Sequence, residues 1–150
     1  FSLSSFANIH ISFLEALSEF LHAYETHYGI RTNLAIDQKA IPDIQGNLSV
    51  QIDRIIKEAI SNSRRHSQAT KVNVTITRND SYLEILIEDN GIGFSTKQIM
   101  KDHSNQRGIE IMKERAYSLH GDLTISSPPG SGTRVELKIP THAQKEAFLL

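Results

Sequence analysis

Two neighbouring stretches of this chain alternate apolar and polar residues with a period of two, and nothing else in the sequence limits the fold so strongly. In the first, Val72, Val74 and Ile76 fall on one face and Asn73, Thr75 and Thr77 on the other. In the second, Leu83, Ile85 and Ile87 stand against Tyr82, Glu84 and Glu88. A period of two is the pleat of a β-strand. Asn79-Asp80 between them is turn chemistry, because short amide and carboxylate side chains bond their own backbone. The pair predicts a hairpin with one apolar face, and such a face has to be covered.

Helical repeats supply the cover. Phe13, Leu14, Leu17, Phe20, Leu21 and Tyr24 follow helical spacing, and Gly29 reads as the stop, since glycine takes a left-handed cap at little cost. Ile52, Ile55, Ile56, Ala59 and Ile60 make the apolar stripe of a second helix, with Ser49 as its expected N-cap and its end near His66. A third helix is expected to open at Gly108 and to bury Ile109, Met112, Ala116 and Leu119. A strand is expected from about Arg31 to Ile36. A last hairpin runs from Leu123 and Ile125 through Pro128-Pro129-Gly130-Ser131-Gly132 to Val135, Leu137 and Ile139. Lys39 to Asn47, with Pro42 and Gly46, reads as a loop. Asn90 to Arg107 reads as a long, mobile polar loop, a feature often functional. The tail from Thr141 shows no element. This order predicts an α/β two-layer sandwich, with helices on one face of a mixed, mostly antiparallel sheet.

At 150 residues the chain is expected to be a single domain, 1–150, with one core. Its 39% hydrophobic and 22% charged residues are those of ordinary soluble globular chains. A formal net charge of -1 argues against nucleic acid as a partner. Cysteine is absent, which removes disulfides, Cys-zinc sites and thiol nucleophiles. No apolar run approaches the roughly 18 residues of a membrane span, so no direct membrane contact is expected in this chain. It opens on Phe1 without a signal peptide and reads as a piece of a longer protein.

Three clusters carry chemistry. Opposite the apolar stripe of the second helix lie Glu58, Asn62, Arg65 and His66, at spacings that bring a carboxylate, an amide and a cation to one face. An amide carbonyl suits Mg²⁺, which keeps several waters and few protein ligands, and an arginine beside it can hold phosphate oxygens. A solvated polar face has the same periodicity, and Ser61, Ser63 and Arg64 add to it. Next, Glu88-Asp89-Asn90-Gly91-Ile92-Gly93-Phe94 ends a strand in acids followed at once by glycines. A carboxylate only accepts hydrogen bonds, so Asp89 could take the exocyclic amine of adenine, and the guanine oxygen at that place would be repelled. The same residues also make an ordinary tight turn. Finally, Gly108 after Arg107 could present free amides to an anion, and Gly130-Ser131-Gly132-Thr133 leads into a strand.

In combination these strings resemble one family. Glu58-Ala59-Ile60-Ser61-Asn62-Ser63-Arg64-Arg65-His66-Ser67 resembles the N-box of the histidine-kinase ATPases. Asp89-Asn90-Gly91-Ile92-Gly93-Phe94 is similar to its first glycine box, Gly108-Ile109-Glu110-Ile111-Met112-Lys113-Glu114-Arg115-Ala116 to its second, and Gly130-Ser131-Gly132-Thr133 to its closing Gly-x-Gly-Thr. The likeness covers roughly Ser49 to Pro140. It implies the Bergerat (GHKL) ATP-binding fold, with ATP and Mg²⁺ as cofactors. It implies Asn62 on Mg²⁺, Asp89 on adenine, Gly91 and Gly93 near the nucleotide, Thr133 supporting Asp89 through water, and Glu58 orienting a metal-bound water. Arg65, His66 and Arg107 are the phosphate contacts it implies, with Gly108 and Ile109 at the second glycine box.

The short segment after the first glycine box and the Arg-His-Ser end of the N-box are similar to the branch that partners LuxR-type response regulators. Gly108-Ile109-Glu110-Ile111-Met112 resembles the nitrate/nitrite sensor kinases within it. Many relatives have glycine where Ile111 stands, and another glycine where Gln106 stands. In that branch the phosphoacceptor histidine is followed by an acid, and none of the seven histidines here is. The resemblance therefore implies an ATP-dependent protein histidine kinase whose acceptor lies on a dimerisation domain outside this sequence, in the cytoplasmic part of a bacterial inner-membrane sensor. Two alternatives share the fold: an ATPase of the gyrase or chaperone type, and a non-catalytic nucleotide-binding interaction module.

Overall fold

A computed structural model describes residues 2–93, 103–127 and 130–141, with side chains from Phe13 onward apart from those of His66 and residues 103–105. Helix α1 (Ser2–Tyr28) leads to β1 (Arg31–Ile36). A 3-10 helix (Gln38–Asp43) and α2 (Gly46–Asn62) follow, and α2 runs directly into a π-helical turn (Ser63–Ser67). Then come β2 (Lys71–Arg78), β3 (Tyr82–Asp89), α3 (His103–Ser118), β4 (Asp122–Ser126) and β5 (Arg134–Pro140).

The strands form one sheet in the order β1-β2-β3-β5-β4. Only β1 and β2 run parallel; the other pairs are antiparallel, so the sheet is mixed and mostly antiparallel as the alternation predicted. Register lines up the inward residues. Val74 faces Ile87, which faces Val135, and Ile76 faces Ile85, which faces Leu137. All six are buried. The other face carries polar rows such as Asn73, Glu88 and Arg134, which water can solvate.

The covering helices bury the expected stripes. Phe13, Leu17, Leu21 and Tyr24 of α1, Ile52, Ile55, Ile56, Ala59 and Ile60 of α2, and Met112, Ala116 and Leu119 of α3 join one core with the sheet. Ile109 is only half-buried at its edge. Gly29 ends α1 in the left-handed region at φ +68, and its amide donates to Glu25 O at 2.9 Å. In the β2–β3 turn, Asn79 Oδ1 accepts from the amides of Ser81 and Tyr82 at 2.9 and 2.7 Å, so that side chain builds the corner.

Three local expectations differ. The stretch read as a loop contains the 3-10 helix, capped by Asp37, whose Oδ1 accepts from the Lys39 amide at 3.1 Å. Ala40 is its buried residue and Ile44, the C-cap, is buried just after it, a spacing that Pro42 and Gly46 obscured. Helix α2 begins at Gly46, not after Ser49. Ser49 stands in its first turn and donates its hydroxyl back to Gly46 O at 2.7 Å, the local competition that serine brings inside helices. Helix α3 is described from His103, so Gly108 lies in its second turn.

Candidate functional site

The end of α2 carries the polar face expected there. Asn62 is 5% exposed, and its Oδ1 accepts from Arg65 Nη2 at 2.8 Å. The same Nη2 lies 3.4 Å from Glu58 Oε1, with both of these side chains about a third exposed. The structure thus brings Glu58, Asn62 and Arg65 together. The helix does not continue as α to His66, however. It passes into the π-helical turn Ser63–Ser67 and closes on Gln68, whose φ of 54 is left-handed. His66 lies in that turn, and its side chain is outside the described residues.

Asp89 is the last residue of β3, on the inward face with Leu83, Ile85 and Ile87. Alternation alone would put a carboxylate into the core, where it needs donors to be tolerated. It has them from three directions. Oδ1 accepts from Ser67 Oγ at 2.7 Å, from the Gly91 amide at 2.9 Å and from the Thr133 amide at 3.1 Å. Oδ2 accepts from Ser63 Oγ. Three donors saturate Oδ1, whereas among the described residues Oδ2 takes one, from Ser63, and a carboxylate oxygen can accept a second.

Glycines let the backbone close around this carboxylate. A Cβ on Gly91 would overlap the Ser67 hydroxyl and carbonyl, and one on Gly132 would overlap the Asp89 carbonyl. Gly132 also has φ +78, a second reason for glycine there. The Gly93 amide reaches Ser67 Oγ at 3.4 Å, and the Ile92 amide donates to Ser67 O at 2.7 Å. Thr133 returns its carbonyl to the Asp89 amide at 2.9 Å, and its hydroxyl lies 3.0 Å from Ser127 Oγ. Its direct amide bond to Asp89 is a contact that sequence comparison did not imply. Asn90 faces another way: its side chain takes the amides of Thr70 and Lys71, each at 2.9 Å, and ties β3 to the start of β2.

Ser63 and Ser67 join the candidate site through Asp89, and helical spacing did not point to them. Ser63 counted only as part of a solvated face. Yet it stands four residues after Ala59, on the buried stripe, where a hydroxyl requires a partner. At the second glycine box, Gly108 of α3 is buried and faces the end of the Glu58 side chain of α2. Its amide is not one of the four free amides at the start of α3, which corrects the expectation of a helix N-terminus there. Arg107 is exposed one residue before it. The centre of the expected loop, from Phe94 to Asp102, lies outside the described residues.

The donor set suits a divalent cation of the hard kind. Among the described residues no three His, Cys, Asp or Glu side chains form a metal cage. One amide oxygen and one nearby carboxylate fit Mg²⁺, which is commonly bound by one or two protein oxygens together with substrate phosphates. A cation taking Asn62 Oδ1 would displace the Arg65 bond to that oxygen.

A buried carboxylate with spare acceptor capacity, flanked by glycines, beside an amide–acid–arginine cluster at a helix end, defines a Bergerat-type ATP-binding domain. Residues 47–143 match the family described as histidine kinase-, DNA gyrase B- and HSP90-like ATPase, and the chain belongs to that family, whose domain binds ATP. Its curated relatives include the sensor protein VraS of Staphylococcus aureus (strain COL), 42% identical over 91 residues, covering 61% of this chain and 25% of VraS. VraS of Staphylococcus haemolyticus (strain JCSC1435) is 36% identical over 116 residues, covering 74% of this chain and 32% of the relative. The chain therefore spans no more than about a third of the length of these proteins. The histidine kinase domain of the Erythrobacter litoralis EL346 blue-light activated histidine kinase superposes with TM-score 0.68 at 18% identity, over 92% of this chain and 63% of that one. The ATP binding domain of PrrB from Mycobacterium tuberculosis gives 0.62 at 21%, over 84% and 91%. These structures show the same fold. No helix among the described residues is long and apolar enough to cross a membrane.

Proposed function

We propose that this chain is the catalytic ATP-binding domain of a sensor histidine kinase in a two-component system. It binds ATP and presents the γ-phosphoryl group to a histidine on a dimerisation domain of the same protein. The imidazole nitrogen displaces ADP from the γ-phosphorus and gives up its proton, and the phosphoryl group is relayed to a response regulator. The observation that carries this is the buried Asp89 carboxylate, with three donors on Oδ1 and, among the described residues, one on Oδ2. An adenine amine is the donor that fits it, and Gly91 and Gly93 allow the base to approach. Thr133 holds Asp89 in place through its amide.

Asn62 is proposed as the protein ligand to Mg²⁺, with Glu58 orienting a water on the metal. The ion would neutralise phosphate charge as it develops in the transfer. Arg65, His66 and Arg107 are proposed phosphate contacts, with Gly108 and Ile109 closing the site on the α3 side. The relatives named as sensor proteins favour a kinase over an ATPase of the gyrase type or a mere binding module. The proposed location is the cytoplasmic side of a bacterial inner-membrane sensor.

The finer assignment is a LuxR-type response regulator as partner, resting on the short segment after the first glycine box and on Arg65-His66-Ser67. Nitrate or nitrite as the signal rests on the string Gly108 to Met112 alone. The test is phosphotransfer. With γ-labelled ATP and the protein's own phosphoacceptor domain supplied separately, the label should appear on that domain as acid-labile phosphohistidine. Release of free phosphate with an unlabelled acceptor domain would assign an ATPase instead.

A further inference from the structure

Helix α1 reaches the site from behind. Tyr24 is 5% exposed, and its hydroxyl donates to the Ile60 carbonyl of α2 at 3.2 Å, across 36 residues of sequence. One turn later the Tyr28 ring lies under the Arg64 guanidinium, 4.5 Å from its Cζ to the ring centroid, and the Tyr24 and Tyr28 rings are 5.0 Å apart. Two tyrosines of α1 therefore grip α2 at its end, one on the backbone and one on a side chain of the π-helical turn.

Ile60 is no arbitrary anchor. A helix that passes from α to π bonding shifts its hydrogen-bond partner by one residue, and carbonyls at the change lose part of their ladder. Here the Ser63 amide is shared between Ala59 O and Ile60 O. The Tyr24 hydroxyl is the further donor on Ile60 O. Immediately beyond lie Asn62, whose oxygen is the proposed metal ligand, and Ser63 and Ser67, which hold the two oxygens of Asp89.

We propose that Tyr24 is a positioning residue of the nucleotide site: its hydroxyl fixes the α-to-π junction at Ile60 and so sets where Asn62, Ser63 and Ser67 stand. Burial pushes the Tyr24 hydroxyl up to about 12, with Arg64 lowering it and Tyr28 and Asp89 raising it, so it remains a donor at any physiological pH. Phenylalanine at this position would keep the ring and its packing but remove the side-chain donor from the Ile60 carbonyl. The turn could then relax towards α-helical bonding and rotate Ser63 and Ser67 away from Asp89.

This inference rests on the nucleotide assignment, and two readouts keep their failures apart. Tyr24→Phe should bind ADP about fivefold more weakly than wild type, the scale of one hydrogen bond. In the absence of nucleotide its amide NMR shifts should be largest from Ser63 to Gln68 and at Gly91, not at the distant Thr77 or Lys138. Leu21→Val loosens the packing of the same helix without touching the hydroxyl and should bind ADP as wild type does. Tyr24→Phe binding ADP within about twofold of wild type would overturn the proposal, and so would an equal loss in Leu21→Val. If wild type bound no ADP, the nucleotide assignment would fall, and nucleotide-free shifts confined to the neighbours of Tyr24 on α1 would separately remove the positioning role.

Discussion

The two ends of the central sheet share the same strands but differ in how their polar groups are kept. At the end where β3 finishes and β5 begins, Asn62, Ser63, Ser67, Asp89 and Thr133 are all buried. They come from α2, the π-helical turn, β3 and the β4–β5 connection; Ser63, Ser67 and Thr133 bond Asp89, and Asn62 bonds Arg65. At the opposite end, Thr141 is the buried polar residue among those described, and its hydroxyl donates to Asp80 O at 2.8 Å. There Arg78 pairs with Asp43 with both side chains about a third exposed, and Asn79 serves its own turn. Polar groups at the second end are satisfied nearby or left to water. Those at the first end are desolvated together, which costs stability unless every member is paired.

Substitutions at the two ends should therefore affect different quantities. The largest effect is expected at Asp89. Asp89→Asn keeps the size, removes the charge and turns one acceptor into a donor, and should weaken ADP binding by roughly 1.5–3 kcal/mol, the worth of a hydrogen bond to a charged group. Calorimetric titration of the folded variant measures it. Unchanged affinity would remove Asp89 from the adenine site.

A smaller effect with a distinct signature is expected at Asn62. Asn62→Ala should lose on the order of tenfold, about 1.4 kcal/mol, in ADP affinity with Mg²⁺ present, and clearly less with EDTA. Equal losses in both conditions would make Asn62 a purely structural partner of Arg65. The smallest effect belongs to the opposite end. Arg78→Ala breaks a partly exposed ion pair and should cost at most about 1 kcal/mol of stability, shrinking further with added salt. Its ADP affinity should equal that of wild type, and a loss there would erase the distinction between the two ends.

This contrast also explains what the sequence made legible. Strands β2 and β3 announce themselves because their faces differ in polarity at every step, and Gly29 and Asn79 because each solves a local backbone problem. The roles of Glu58, Asn62 and Arg65 could be posed from helical spacing, since all three sit on one element. Ser63 and Ser67 could not be paired with Asp89 by any local rule, because those bonds span 26 and 22 residues. The π-helical turn was hidden for a related reason: its serines bond Asp89 of β3, a partner far away in sequence. Gly108 was misplaced because glycine at the head of an apolar repeat looks like a helix start, whereas the helix already runs from His103 through polar residues that carry no apolar pattern.

The central claim is that the buried Asp89 carboxylate selects adenine. Titration of the unaltered chain with ADP and with GDP under one Mg²⁺ concentration tests it most directly. An acceptor facing the base should favour the adenine amine and repel the guanine oxygen, so ADP should bind at least about tenfold more tightly, a difference of about 1.4 kcal/mol. Equal affinity for ADP and GDP would contradict the account, because nothing else in the described site distinguishes the two bases.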